Sequence, residues 1–251
     1  MSERRSALII GAQRAGKTFL IEKELNAYAK AGGVSVVYKP GRPTDYADFL
    51  QVEILSVEKF VELWEFRNKK TMKRFERPNR VEWFRIKDKS ELYHLKDFCR
   101  MMKGRKVKIK RIFDSPQSEA FFWAAVSKYF FNCFFVIDDC TSVFRHGLPA
   151  QMRELATTIN HCGGDNGAGA AVGIDIAYIF HTFAGVNPEI YGYVNLVIQF
   201  RTVFRPNNIP PDVEEIEETI ASNYEALKTS KKYSHFEYYT HEEENIFHEG
   251  P

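Results

Sequence analysis

The chain opens on a short apolar run, Ala7–Ile10, that stops at Gly11. Four apolar residues in a row suit a strand buried on both faces. After Thr18, the segment FLIEKELNAYAKAG places Phe19, Leu20, Leu25 and Tyr28 at helical spacing and ends at Gly32-Gly33. That pattern predicts an amphipathic helix with a glycine stop. Val34–Tyr38 (VSVVY) reads as a second strand, closed by a turn at Pro40 and Gly41. A strand, a loop, a helix and a strand in this order begin an α/β fold with a parallel sheet.

The pattern loosens from Thr44 to Arg111. Gln51–Leu55 and Val81–Ile86 predict strands, while Ser56–Arg67 and Ser90–Met102 predict helices that begin at serine caps. Lys106–Phe113 alternates basic and apolar residues, as a strand with one wet, positive face would. Ser115–Phe131 predicts a helix with Pro116 in its first turn. Phe134–Ile137 is a continuous apolar strand that runs into Asp138-Asp139. A helix over Pro149–His161 and a glycine-rich loop then lead to strands at Ile174–Phe180 and Asn195–Phe200. An acidic helix near Asp212–Leu227 follows, and the polar end HEEENIFHEGP is expected to fray.

Composition narrows the class. With 251 residues, 44% apolar and 27% charged, the chain can fill one core, and disordered, collagen-like and coiled-coil classes are excluded. No uncharged apolar run reaches the roughly 18 residues of a membrane span. MSERRSALII lacks the apolar core of a secretory signal, so a soluble intracellular product is expected. Cys99, Cys133, Cys140 and Cys162 stand apart, with no CxxC pair, and reduced thiols are expected. His161 and Cys162 lack a second paired element, so no zinc site is predicted there. The net charge of +2 conceals segregation. Residues 67–111 hold 18 basic and 5 acidic side chains, net +13, whereas residues 112–251 hold 8 and 19, net −11. The middle segment is built for an anionic partner.

Chemistry enters with Gly11-Ala12-Gln13-Arg14-Ala15-Gly16-Lys17-Thr18, a full match to the Walker A pattern GxxxxGK[ST]. The glycines let successive backbone N–H groups turn inward onto phosphate oxygens. Lys17 neutralises β/γ charge, and the Thr18 hydroxyl takes a magnesium position. The helix that follows, entered at Phe19, adds its positive end. FFVIDD has the form of a Walker B strand, with Asp138 to hold Mg²⁺ and Asp139 to orient or deprotonate an attacking water. An acid directly after the magnesium aspartate favours hydrolysis over transfer to a small molecule. A small-molecule kinase using the same loop stays open as an alternative.

The strings VIDDCTSVFRHGLPAQMRELATTINHCGG and DIAYIFHTFAGVNPEIYGYVNLVIQFRT resemble the FtsK–HerA superfamily of DNA-pumping ATPases. Within it the nearest likeness is to genome-packaging ATPases of internal-membrane phages and similar viruses, with Zot-like phage-assembly proteins next. The resemblance covers about residues 6–40 and 112–205 and leaves the basic middle unmatched. It implies a RecA-like P-loop NTPase fold: a mostly parallel central sheet flanked by helices. An ATPase domain would span residues 1–205, with a basic insertion at about 44–111, ahead of an acidic helix and tail at 206–251. It further implies ATP and Mg²⁺ as cofactors, a homo-oligomeric ring (usually a hexamer), DNA as partner and a capsid vertex protein as dock. The setting would be the host cytoplasm or a virion vertex. A Zot-like export factor is the other viral alternative. Relatives commonly place a γ-phosphate-sensing glutamine where this chain has His181, so His181 either substitutes as a donor or makes a structural contact. An arginine supplied by a neighbouring subunit would complete the site. Arg201 and Arg145 are the preferred candidates, then Arg153 and Arg205.

The basic stretch carries the candidate DNA contacts Lys69, Lys70, Lys73, Arg74, Lys103, Arg105, Lys106, Lys108 and Lys110. Such residues displace counterions from phosphates without reading sequence. Phe66, Phe75, Trp83, Phe84, Tyr93 and Phe98 are interleaved with them, either to stack on bases or to fill the core.

Overall fold

The computed structural model describes residues 5–39, 45–55, 82–85, 98–111, 116–144, 147–159, 173–206 and 214–251. The strands in chain order are β1 (Ser6–Ile10), β2 (Val34–Tyr38), β3 (Leu50–Leu55), β4 (Glu82–Arg85), β5 (Lys106–Arg111), β6 (Cys133–Ile137), β7 (Ile174–Phe180), β8 (Leu196–Phe200), β9 (His235–Tyr239) and β10 (Glu244–His248). The helices are α1 (Lys17–Lys30), α2 (Phe98–Met101), α3 (Pro116–Tyr129), α4 (Cys140–Val143), α5 (Ala150–Thr158) and α6 (Glu214–Thr229). Two compact units divide the chain: Met1–Glu24, Val136–Leu148 and Asp175–Pro251 form one, and Leu25–Phe135 with Pro149–Ile174 form the other. The predicted helix over Ser56–Arg67, most of the one over Ser90–Met102 and the glycine-rich loop after Cys162 lie outside the described residues.

In the first unit, β1 lies between β7 and β8 and runs parallel to both, with Ile10 beside Phe180 and Gln199. Every residue of these three strands is buried. Continuous apolar stretches such as ALII and IDIAYIF suit that double-sided burial. β7 also neighbours β6, so one strand stands between the strand that opens the phosphate loop and the strand that precedes Asp138.

On its other side β8 pairs antiparallel with β9, and β9 pairs antiparallel with β10. This corrects the expectation that the polar end frays. His235-Phe236-Glu237-Tyr238-Tyr239 alternates in a way that serves a half-covered strand. Phe236 and Phe247 form a cross-strand ring pair at 4.9 Å. The Gly250 N–H donates to Ser234 Oγ at 2.9 Å and closes the hairpin. Segment 214–251 thus joins the unit that holds the phosphate loop.

The second unit places β2, β5, β3 and β4 side by side, all parallel, with a register shift between Val52 and Glu53. Its core is aromatic. Phe98 stacks on Phe130 at 4.8 Å, and Phe122, Trp123 and Phe135 pack within 6.4 Å of one another; all five are buried. Each such ring contributes about 1.5–3 kcal/mol of burial. Phe98 is therefore core and presents no ring to a base. Cys99, Cys133 and Cys140 are buried and unpaired with one another.

Candidate nucleotide site

β1 stops at Gly11 because the chain must pass close to β8 there. A methyl group at Gly11 would lie 2.5 Å from Phe200 Cβ, well inside contact distance. The loop is tied at both sides. The Gly11 N–H donates to Phe180 O at 3.3 Å, and the Ala12 N–H donates to Arg201 O at 2.9 Å. Arg14 (φ 62) and Gly16 (φ 109) take left-handed conformations. Such turns point successive N–H groups inward and form an anion nest. Gln13, Arg14 and Thr18 are exposed, Ala12, Ala15 and Gly16 are half-buried, and Phe19 stands 77% exposed on the first turn of α1.

Lys17 is buried, at 6% exposure. Its ammonium donates to Gly11 O and, at 2.8 Å, to Ala12 O, and it lies 3.3 Å from His181 Nδ1. An ammonium only donates, so Nδ1 accepts and the proton of a neutral His181 sits on Nε2. Strand register explains the meeting, because Ile10 and Phe180 are paired and the chain leaves β1 and β7 at the same level.

β6 is followed directly by Asp138, which is buried at 3% exposure. Asp139 follows in the left-handed region (φ 60, ψ 49), a conformation that aspartate tolerates better than most residues. Its carbonyl accepts from the Ser142 and Val143 N–H groups, and its Oδ2 accepts from Ser142 Oγ at 2.8 Å. Backbone strain held at a carboxylate in this way is typical of functional sites. Cys140 is sealed beneath, its Sγ donating to Ile137 O at 3.1 Å. Burial pushes its thiol pKa well up, and the neighbouring charges of Asp138 and Asp139 push it further.

Two aromatic residues outside the sequence motifs complete the loop. A methyl group at Gly16 would lie 3.0 Å from Tyr233 Cδ1 and 3.3 Å from Phe200 Cε1. Tyr233 itself has φ 71. No local signal marks Phe200 or Tyr233 as part of this site, because their role depends on β8 and the hairpin.

The remaining candidates separate. The Arg201 guanidinium donates from Nε to Leu227 O at 2.9 Å and from Nη2 to Lys228 O at 2.6 Å and Ser230 O at 3.0 Å. Arg201 therefore clamps the carboxyl end of α6 within its own chain. Arg205 is exposed, Arg153 is exposed in the other unit, and Arg145 lies outside the described residues. Among the DNA candidates, Lys103 and Arg105 are exposed. Lys106 is paired with Asp48 and sits 4.9 Å from the Phe49 ring centroid. Lys108 is a correction: it is fully buried, and its Nζ donates to Asp45 O at 2.6 Å. Alternation puts Lys108 on the face opposite Val107 and Ile109, and that face is covered as well. Lys69, Lys70, Lys73 and Arg74 lie outside the described residues, and of Lys110 only the strand position is described.

No family model matches the sequence, and no curated protein matches it. Solved structures do. The genome packaging NTPase B204 from Sulfolobus turreted icosahedral virus 2, in complex with sulfate, is 16% identical with a TM-score of 0.57, over 100% of this chain and 98% of that one. The same NTPase in complex with ATP-gammaS is 15% identical with a TM-score of 0.58, over 100% of both chains. Its complex with AMP is also 15% identical with a TM-score of 0.58, again over 100% of both. Likeness at this identity speaks for the fold, and it bears out the expected class: a mixed α/β fold with a mostly parallel central sheet, shared with that NTPase.

Proposed function

We propose that this chain is a Mg²⁺-dependent ATPase that translocates DNA and packages a viral genome into a preformed capsid. The observation that carries the reading is the placement of Lys17. Its ammonium is held at the mouth of a left-handed loop, 3.3 Å from the histidine that ends the neighbouring strand. A lysine held by Gly11 O and Ala12 O is preorganised to exchange those carbonyls for β/γ-phosphate oxygens. Full-length similarity to a viral genome packaging NTPase supports the same reading.

The Thr18 hydroxyl and the Asp138 carboxylate are hard oxygen donors of the kind Mg²⁺ takes, and they would hold it. Bound there, the ion would neutralise charge on the phosphates. Asp139 is the base that orients the attacking water, and Nε2–H of His181 donates to the γ-phosphate. The trans arginine falls to Arg145 or Arg205, since Arg201 is engaged with α6. A ring of subunits, with DNA along the basic segment and a vertex protein as dock, completes the proposal.

The test is ATP hydrolysis by purified protein with and without DNA. Hydrolysis should rise with DNA, and Lys17→Ala and Asp138→Asn should each remove at least about 10²-fold of it. A rate indifferent to DNA but raised by a small phosphoryl acceptor would replace the motor with a kinase.

A further inference from the structure

On the same face of the C-terminal hairpin stand His235, Glu237 and His248, none of them part of the motifs above. His235 and His248 are direct cross-strand partners, and Glu237 is two residues along β9, so strand alternation turns all three side chains to one side. One ligand atom from each lies within 4.8 Å of the other two. His235 Nε2 is 3.8 Å from Glu237 Oε1, and His248 Nε2 is 3.5 Å from Glu237 Oε2.

We propose that His235 Nε2, Glu237 and His248 Nε2 form a binding site for a divalent transition-metal ion, zinc above all. Zinc–ligand bonds of about 2.0–2.2 Å at tetrahedral angles put neighbouring donor atoms about 3.3–3.5 Å apart, so the three donor atoms, now within 4.8 Å of one another, would draw together on the ion. Two imidazoles and a carboxylate are a zinc donor set, with a fourth position left for water. His248 Nε2 is buried and makes no hydrogen bond, although its side chain is 43% exposed. A buried ring nitrogen without a hydrogen bond, beside a carboxylate, is what a metal ion satisfies. The two imidazole rings stack at 4.8 Å, so the two nitrogen ligands already lie side by side.

Outer contacts already set the ligands. His235 Nδ1 lies 3.4 Å from Tyr233 O, which directs Nε2 toward Glu237, and Tyr239 Oη donates to Glu237 Oε2 at 3.3 Å. Phe200 stacks on the other side of His235 at 4.8 Å. An ion here would pin the hairpin whose Tyr233 rests on Gly16.

The full-length protein, stripped with a chelator, is titrated with Zn²⁺ by calorimetry and with Co²⁺ by visible absorption. The wild type should bind one zinc per chain, show the intense d–d bands of a low-coordinate cobalt site, and unfold at a higher temperature with zinc present. His248→Gln and Glu237→Gln should each weaken binding by at least about 100-fold, and Tyr239→Phe by about 10-fold. His241→Gln, in the exposed turn, should bind like the wild type. Circular dichroism of each variant without metal separates lost ligation from lost folding. Absence of the cobalt bands in the wild type, or undiminished zinc binding by folded His248→Gln, overturns the site. Neither outcome touches the ATPase proposal, whose readout is hydrolysis.

Discussion

Two residues at the phosphate loop face each other across 3.3 Å. Lys17 donates toward His181 Nδ1, and this leaves the histidine proton on Nε2. A glutamine amide could offer the same pair of functions, an oxygen to accept from lysine and an N–H₂ to give. His181→Ala should therefore lower the DNA-stimulated turnover by about 10²-fold with little change in KM for ATP, while His181→Gln should recover most of it. Steady-state kinetics of the two variants checks this. Equal turnover in wild type and His181→Ala would reduce His181 to a strand-end contact. The phosphate loop, Asp138 and Asp139 were legible at this scale because each is announced within a few residues. Phe200 and Tyr233 were not, since a residue that covers Gly16 from a distant strand carries no local mark.

Arginine 201 belongs to the scale of elements. It leaves β8 and binds three carbonyls at the end of α6, where the helix has unsatisfied acceptors and negative dipole. Because the side chain is exposed, three charged hydrogen bonds are discounted, and Arg201→Ala should cost about 1–2 kcal/mol in urea unfolding. Arg201→Lys should recover less than half, since one ammonium cannot match a planar fork. Elements with a strong period were legible: β2 and β7 fall on the ranges their apolar runs mark, and β1 and α1 fall within a residue or two. The hairpin β9–β10 was hidden because one of its faces holds histidines and glutamates. Polarity read along the chain resembles fraying, whereas a strand needs only one good face and a paired neighbour. Lys108 failed in the opposite sense. Alternation distinguished two faces of β5 but not which was wet, and its charge suggested water where a carbonyl and the Tyr46 ring stand instead.

For the whole molecule the governing property is separation of charge, +13 in residues 67–111 against −11 in residues 112–251. A DNA duplex binding the basic segment would release counterions, so affinity should fall steeply with salt. Neutralising Lys103 and Arg105 together should lower the slope of log affinity against log salt by up to about 1.8, at about 0.9 per phosphate contact. Replacing Lys69, Lys70, Lys73 and Arg74 should lower it further. Lys108→Ala should leave the slope unchanged and reduce stability, because its ammonium serves Asp45 O. Fluorescence anisotropy at several salt concentrations measures all three. An unaltered slope in the first two would move the DNA path elsewhere.

The Phe200 ring is a shared wall. One side limits the backbone at Gly11 and Gly16, and another lies against His235. Positions 11, 16, 200, 233 and 235 consequently form one packing unit drawn from three distant stretches of chain, and no substitution at one of them acts alone. Trimming the ring would slacken the cradle and the hairpin together, and a bulkier neighbour in the hairpin would be felt where the triphosphate sits. Variation at these sites is constrained to move in concert, as teeth on meshed gears must.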